Sequence, residues 1–400
     1  MTGKGTSESR QPDDAVRERV FAPQSPARFY LPELDVLRFF AFFAVFALHV
    51  SYDTVTDCRA RTGVDLLAHH HLIGRVYLAG GSGVDLFFTL SAFLITELLL
   101  KERAATGQVD VESFYIRRIL RIWPLYFFFL GGVFVASRLA PGIEFKAVDF
   151  IPLLLLVGNF AACSDALPIG IAHLWSISVE EQFYLLWPLV VRRTSRPAMV
   201  RAALVLLGIS GTARLALAAR GIGGAPVAFN TFTRLDSMAV GILLASAPRE
   251  RLANLPLPPR VGLVLFGLAC WLLAAYFLFP SASGPATVAC YSAIAAGSAA
   301  IVMAALGSGK IAGRLMLDRR LIYLGKISYG LYIYHRFAIS LALMACAMAD
   351  RGKFDFRGLL LRAALSFALC VALAAVSYRW LETPFLALKR RFTHVPSRAI

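Results

Sequence analysis

The chain has 400 residues, of which 58% are hydrophobic and 16% charged, with a mean hydropathy of +0.64. Soluble domains carry roughly 45–50% apolar residues, so this composition excludes a soluble globular protein and points to an all-α polytopic membrane protein. A net charge of +16 would suit a nucleic-acid partner, but the placement of the basic residues assigns it to membrane topology instead.

In chain order, residues 1–30 are polar and hold no apolar run of the kind a cleaved signal needs. They read as a disordered tail, which makes the first span the targeting signal as well. Full spans are expected at 36–53, 79–100, 119–139, 174–191, 200–219, 234–247, 261–280, 286–307, 321–347 and 359–381. These ten are judged against the roughly 20 residues that cross a bilayer. The run 148–162 (VDFIPLLLLVGNFAA) is shorter and holds Pro152, Gly158 and Asn159, so it is expected to be re-entrant.

With the N-terminal tail inside, segments 1–38, 101–121, 192–201, 249–260, 310–320 and 389–398 hold 26 of the 41 Lys and Arg, against 12 in the outer segments. That bias places both termini in the cytoplasm, with 389–400 a second basic tail, and leaves nothing for nucleic acid to explain. The six cysteines form no CxxC pair, and no disulfide between Cys58 and Cys163 is expected. His69, His70 and His71 in an outer loop lack the spacing and flanking carboxylate of a metal site, so no metal is expected.

Ionisable groups inside spans are costly and by default mark a functional pathway. Arg38 and His49 are eleven residues apart, about three helical turns and ~16 Å of rise, so both side chains share one face, with Asp35 one turn before Arg38. Asp85 stands among Phe87, Phe88 and Leu90, where a carboxylate needs a partner. Arg117, Arg118 and Arg121 cluster at the inner side of the third span, more than a topology anchor requires. His173, Ser176, Glu180 and Tyr184 recur at i, i+3, i+7, i+11 as one polar stripe on an apolar helix, the kind that faces a cavity. Tyr329, Tyr332 and His335 form a ladder near the end of the chain. Arg234 and Asp236 open a span at the outer side, as an acceptor entrance or an interfacial ion pair. Glu382, just before Pro384, is expected to end the last helix.

Six blocks in one order carry a resemblance. They are Arg38 with His49, GVDLFFTLSAFLI, RRILRIWP, HLWSISVEEQFYLLWP, RLDSMAVG, and LGKISYGLYIYH with SYRWLETP. Over about residues 31–388 the chain resembles the membrane-bound acyltransferase-3 family of bacterial O-acyltransferases. Ala92 stands where that family commonly has glycine, which bears on helix packing. The resemblance implies transfer of an acyl group, usually acetyl, from an acyl-coenzyme A donor to a hydroxyl of a saccharide or lipid-linked glycan. The donor is a substrate, and no bound cofactor is implied.

On that reading Arg38, Arg117, Arg118 and Arg121 bind the donor's phosphates through charge-assisted hydrogen bonds. His49 is the general base, with Glu180 or Asp85 as the carboxylate that orients it. Ser176, Ser178, Tyr329 and Tyr332 are candidate donors to the oxyanion. His173, His335, Arg234 and Asp236 are candidate acceptor contacts. Direct attack by the acceptor is favoured over an acyl-histidine intermediate, because no second base is visible. A small-molecule acceptor such as a macrolide, and a proton-coupled transporter, are the alternative readings. The topology has a direct check: a reporter fused after Arg196 is expected on the cytoplasmic side, and one within 221–224 on the other side. Both on one side, or the two inverted, would overturn the ten-span arrangement.

Overall fold

The computed structural model describes residues 29–62, 76–139, 145–248, 252, 254–278, 285–308, 313–349 and 356–395. The tail as far as residue 28, His69–His71, the Cys58 side chain and residues 396–400 lie outside the described residues. Phe29 and Tyr30, assigned above to the tail, belong to the folded body: Phe29 is buried, and the Tyr30 hydroxyl donates to Asp35 Oδ2 at 2.9 Å.

Among the described residues there are helices and turns and no strand. Ten principal helices stand where ten spans were expected. They are α1 (Pro32–Thr62), α2 (Gly83–Thr106), α3 (Val111–Leu139), α4 (Trp175–Arg193), α5 (Arg196–Ala219), α6 (Leu235–Ser246), α7 (Leu257–Leu278), α8 (Pro285–Ala305), α9 (Ser328–Ala349) and α10 (Phe356–Ser377). Eight of them, all but α4 and α6, lie in stretches long and apolar enough to cross a membrane, so this is a multi-pass membrane protein. α4 has 19 residues, but a polar face interrupts its apolar character. α6 has 12 residues, about 18 Å of rise, which is shorter than a hydrocarbon core of roughly 30 Å.

Two expectations are corrected. The span at 321–347 breaks at Ile327 into a short helix, Arg319–Lys326, and α9. Asp318 caps the short helix, accepting from the amides of Arg320 and Leu321 at 2.8 and 3.0 Å. Gly325 then presses on α1, where a Cβ would lie 1.9 Å from the Asp35 carbonyl oxygen, so this helix crosses α1 at contact distance. Glu382 does not end the last helix: a π-helical turn, Tyr378–Glu382, leads directly into Thr383–Lys389, whose first turn tolerates Pro384. The segment 148–162 is two short helices, Ala147–Leu154 and Gly158–Ala162, reversed at Leu156 with its φ of 57°. Neither reaches across a bilayer. Tyr126 and Gln182 hold the reversal by donating to the carbonyls of Leu153 and Leu156 at 2.9 and 3.1 Å.

The order of burial fixes the centre. In α2 and the residues leading into it, 78% of the most apolar window is buried inside the protein, against 17% in α5. α2 is therefore the axis of the bundle, while α5 turns most of its surface outward. α1 and α2 approach closely, α6 lies along α2, α7 packs on α8, and α9 on α10. At the N-terminus of α3, Asp110 Oδ1 accepts the Ser113 amide at 3.0 Å. Hydrogen bonds from Ser113 are the chief reason that the Asp110 carboxyl is lowered to about 2.

α6 can lie so near α2 because Gly241 has no side chain: a Cβ there would be 2.4 Å from the Thr89 carbonyl oxygen and 3.0 Å from the Ala92 Cβ. The close packing that a glycine at position 92 would permit is thus supplied by its neighbour across the interface. Gly241→Val is expected to push α6 off α2 at a cost of about 1–3 kcal/mol. It should be seen as a lower Tm of the detergent-solubilised protein; an unchanged Tm would mean that the contact adjusts freely.

Candidate active site

Two cavities enter the bundle beside α2. The first, about 190 Å³, is lined by Arg38, Arg118, Arg121 and Lys389, with Asp35, Ser91, Ser176, Glu180, Tyr184, Tyr329 and Tyr332. The second, about 570 Å³, is lined by His49, Asp85, His173, Arg234 and Arg336, with Tyr52, Trp175, Phe229, Tyr291 and Tyr332. Val84 and Tyr332 line both. Arg38 and His49, spaced to share one face of α1, thus line different cavities that have Val84 and Tyr332 in common. The polar stripe is divided likewise: His173 precedes α4 and faces the second cavity, while Ser176, Glu180 and Tyr184 face the first.

The cations of the first cavity are only partly neutralised. Arg38 reaches Asp35 at 3.4 Å, a long contact. Arg118 lies over the rings of Phe114 and Tyr184, 5.4 and 5.5 Å from their centroids, and its buried Nε has no hydrogen-bond partner. Among the described residues, no carboxylate lies within ion-pair distance of Arg118 or Arg121. Lys389, assigned from sequence to a basic tail, joins them because the chain stays helical past Glu382. Arg117 does not join them. It pairs with Glu102 at 2.7 Å and donates to the Phe392 carbonyl at 2.6 Å, so it anchors the C-terminal segment.

Three imidazoles cluster beside the second cavity, and His49 and His173 line it. His49 Nδ1 lies 3.0 Å from His335 Nε2, and His335 Nδ1 lies 2.6 Å from the Tyr332 carbonyl oxygen. His173 Nε2 is 3.2 Å from the Ile333 carbonyl oxygen, its ring 4.8 Å from that of His335. Arg336 is neutralised by Asp53 at 3.0 Å.

Neither carboxylate expected beside His49 is there. Both oxygens of Asp85 are taken, by Arg234 Nη2 and Ser237 Oγ, each at 2.6 Å. Glu180 faces the first cavity and accepts from Ser91 and Tyr184 at 2.9 and 3.0 Å. The sequence missed His335 as the partner of His49 because the two are 286 residues apart, with no local pattern to link them.

The hydroxyls proposed for the oxyanion are also committed elsewhere. Tyr332 donates to the His173 carbonyl at 2.9 Å, and its oxygen lies 2.7 Å from Ser176 Oγ. Tyr329 donates to the Ile122 carbonyl at 2.8 Å, and Ser178 accepts the Gly158 amide at 3.1 Å. Arg234 and Asp236 form no interfacial pair with each other. Arg234 pairs with Asp85, and Asp236 with Arg214 at 2.7 Å, all four side chains being buried. Arg214 also donates to the Thr233 carbonyl and Ser292 at 2.7 and 2.9 Å. Among the described residues, no group of three or more His, Cys, Asp and Glu could hold a metal ion.

The family model described as an acyltransferase domain, acyltransferase-3, matches residues 31–383. The chain belongs to that family. It is 27% identical over 363 residues to "Putative O-acetyltransferase SAR0937" of Staphylococcus aureus strain MRSA252, covering 84% of this chain and 58% of the relative. It is 27% identical over 377 residues to "Putative peptidoglycan O-acetyltransferase YrhL" of Bacillus subtilis strain 168, covering 89% and 55%. To the O-acetyltransferase OatA of S. aureus strain NCTC 8325 it is 25% identical over 387 residues, covering 92% and 58%. The chain therefore spans somewhat over half the length of these relatives. No solved structure matches it.

The Asp85–Arg234 pair gives this acyltransferase domain a testable support. Asp85→Ala leaves a buried guanidinium uncompensated and is expected to cost about 3–5 kcal/mol, read as a fall in Tm in detergent. Adding Arg234→Leu should recover most of the loss. If the double variant is no more stable than Asp85→Ala, the ion pair is not what Asp85 serves.

Proposed function

We propose that the protein is an integral-membrane O-acyltransferase of the bacterial plasma membrane, with both termini cytoplasmic. It moves an acetyl group from coenzyme A to a hydroxyl of a saccharide. The observation that carries this reading is that two cavities of different chemistry share the side chains of Tyr332 and Val84. One offers Arg118 and Arg121, which have no carboxylate at ion-pair distance among the described residues, and the other an imidazole.

The donor's phosphates are multiply anionic and suit Arg38, Arg118, Arg121 and Lys389 on the first cavity. The thin pantetheine arm then points toward Tyr332, and the thioester reaches the second cavity. There an acceptor hydroxyl attacks the carbonyl carbon while its proton passes to His49. The new C–O bond forms, the C–S bond breaks, and coenzyme A leaves as the thiol after taking up the proton. The saccharide is favoured because the second cavity is lined by the aromatic side chains of Tyr52, Trp175, Phe229 and Tyr291 beside charges that are already paired, a lining that suits a neutral sugar ring. Relatives named as O-acetyltransferases, one of them of peptidoglycan, favour the same acceptor class.

The purified wild type is expected to transfer acetyl from coenzyme A to a saccharide acceptor, which a transporter would not do. His49→Ala should bind acetyl-coenzyme A as the wild type does and lose on the order of 10²–10⁴ in rate. Arg118→Ala should weaken donor binding about 10- to 100-fold, the equivalent of one charge-assisted contact, whereas Arg117→Ala should leave the donor Kd unchanged. Near wild-type transfer by a folded His49→Ala would remove the base from this scheme. Radiolabelled acetyl-coenzyme A without acceptor should leave no label on the protein if the hydroxyl attacks directly; label that is absent in His49→Ala would establish the covalent route.

A further inference from the structure

We infer that His335 is a positioning residue that fixes His49 in one tautomer, with the proton on Nδ1 and the lone pair of Nε2 left for the acceptor. The inference rests on the proposed role of His49 for its consequence in catalysis, but the hydrogen-bond chain that carries it stands on geometry alone.

The chain starts from a group with no choice. The Tyr332 carbonyl oxygen can only accept, so His335 Nδ1, 2.6 Å away, must carry a hydrogen. In a neutral imidazole the other nitrogen is then bare, so His335 Nε2 is an acceptor. His49 Nδ1 lies 3.0 Å from it and must be the donor. His49 Nε2 is thereby left unprotonated, on a side chain that is only partly buried and lines the second cavity.

The opposite order would need a doubly protonated His335. That cation would be fully buried with no carboxylate against either ring: Asp53 is held by Arg336, and Asp85 by Arg234 and Ser237. A buried charge without a partner is strongly disfavoured. His173, the third ring, does not compete, because its Nε2 is spent on the Ile333 carbonyl and its Nδ1 makes no hydrogen bond to either ring.

Packing holds the relay in register. The edge of Phe42 meets the His335 ring at 6.2 Å and 80°, while the rings of His49 and His335 lie 5.0 Å apart. An apolar residue at 335 would fill the same space. It would leave His49 free to carry its proton on either nitrogen, and a proton on Nε2 abolishes the base. The device does what a carboxylate does in other His-based sites, with an imidazole as acceptor and a backbone carbonyl as its anchor.

The wild-type protein can be tested without any variant. Labelled with ¹⁵N-histidine in nanodiscs, it should show His49, identified by the signals lost in His49→Ala, as a neutral ring protonated at Nδ1 and bare at Nε2. A proton on Nε2 would overturn the inference, whatever the enzyme's activity.

Side-chain reach supplies the second test. Gln places an oxygen three bonds beyond Cβ, where His335 Nε2 stands, whereas Asn stops one bond short. His335→Leu and His335→Asn should each lower kcat on the order of 10²–10⁴, with the KM for acetyl-coenzyme A little changed. His335→Gln should recover most of that loss and keep the His49 proton on Nδ1. Equal losses in the folded Leu, Asn and Gln variants would overturn the role of the hydrogen bond. If the tautomer is found as stated but His49→Ala still transfers acetyl, then the base assignment fails and the positioning of His49 stands.

Discussion

The bundle depends on the ion pair between Asp85 and Arg234, buried beside the central helix. A charge in a hydrocarbon-like interior persists only if it is paired and its remaining hydrogen-bonding groups are met. Ser237 takes the second Asp85 oxygen, and Arg214 with Asp236 repeats the arrangement one step outward, reaching Ser292 on α8. α2, α5, α6 and α8 are tied together in this way. The network also explains how α6, at 12 residues, keeps its place: its first turn is held by charges rather than by length. Because Asp85 cannot turn, the neighbouring Val84, Phe87 and Ser91 are set as one wall of the cavities.

The two cavities divide the electrostatic work. In the first, Arg118 and Arg121 have no carboxylate at ion-pair distance among the described residues, an arrangement that favours an anion of several charges. In the second, Arg234 and Arg336 are each neutralised, so what remains is aromatic surface and imidazole. Excess positive charge next to the imidazoles would work against a proton acceptor, and pairing those arginines keeps it away. Tyr332 stands at the junction with its hydroxyl bound to the His173 carbonyl. The loop before α4 and the ladder of α9 are thereby locked together where the cavities touch.

The positions of the spans were legible because hydropathy and length belong to each segment alone. All ten expected segments are helical, and even the short run at 148–162 declared itself through Pro152, Gly158 and Asn159. The exceptions are contacts rather than propensities. Hydropathy runs through 321–347 unbroken in the expected span, and the break at Ile327 comes where Gly325 meets the backbone of α1. Glu382 and Pro384 read as a stop, yet a π-helical turn carries the chain onward and brings Lys389 to the arginine cavity.

The site shows the same boundary more sharply. The sequence by itself determined the class of protein, the shared face of Arg38 and His49, and the need of Asp85 for a partner, since each follows from helical spacing or from the cost of a charge among apolar neighbours. Only the tertiary structure decided the partners. Arg117 and Arg118 are adjacent in sequence, but the roughly 100° turn between them sends one to Glu102 and the other into the first cavity. Asp85 met Arg234 rather than His49, and His49 met His335, across 149 and 286 residues. A helix fixes which side chains share a face, but it carries no record of which distant helix will be packed against that face.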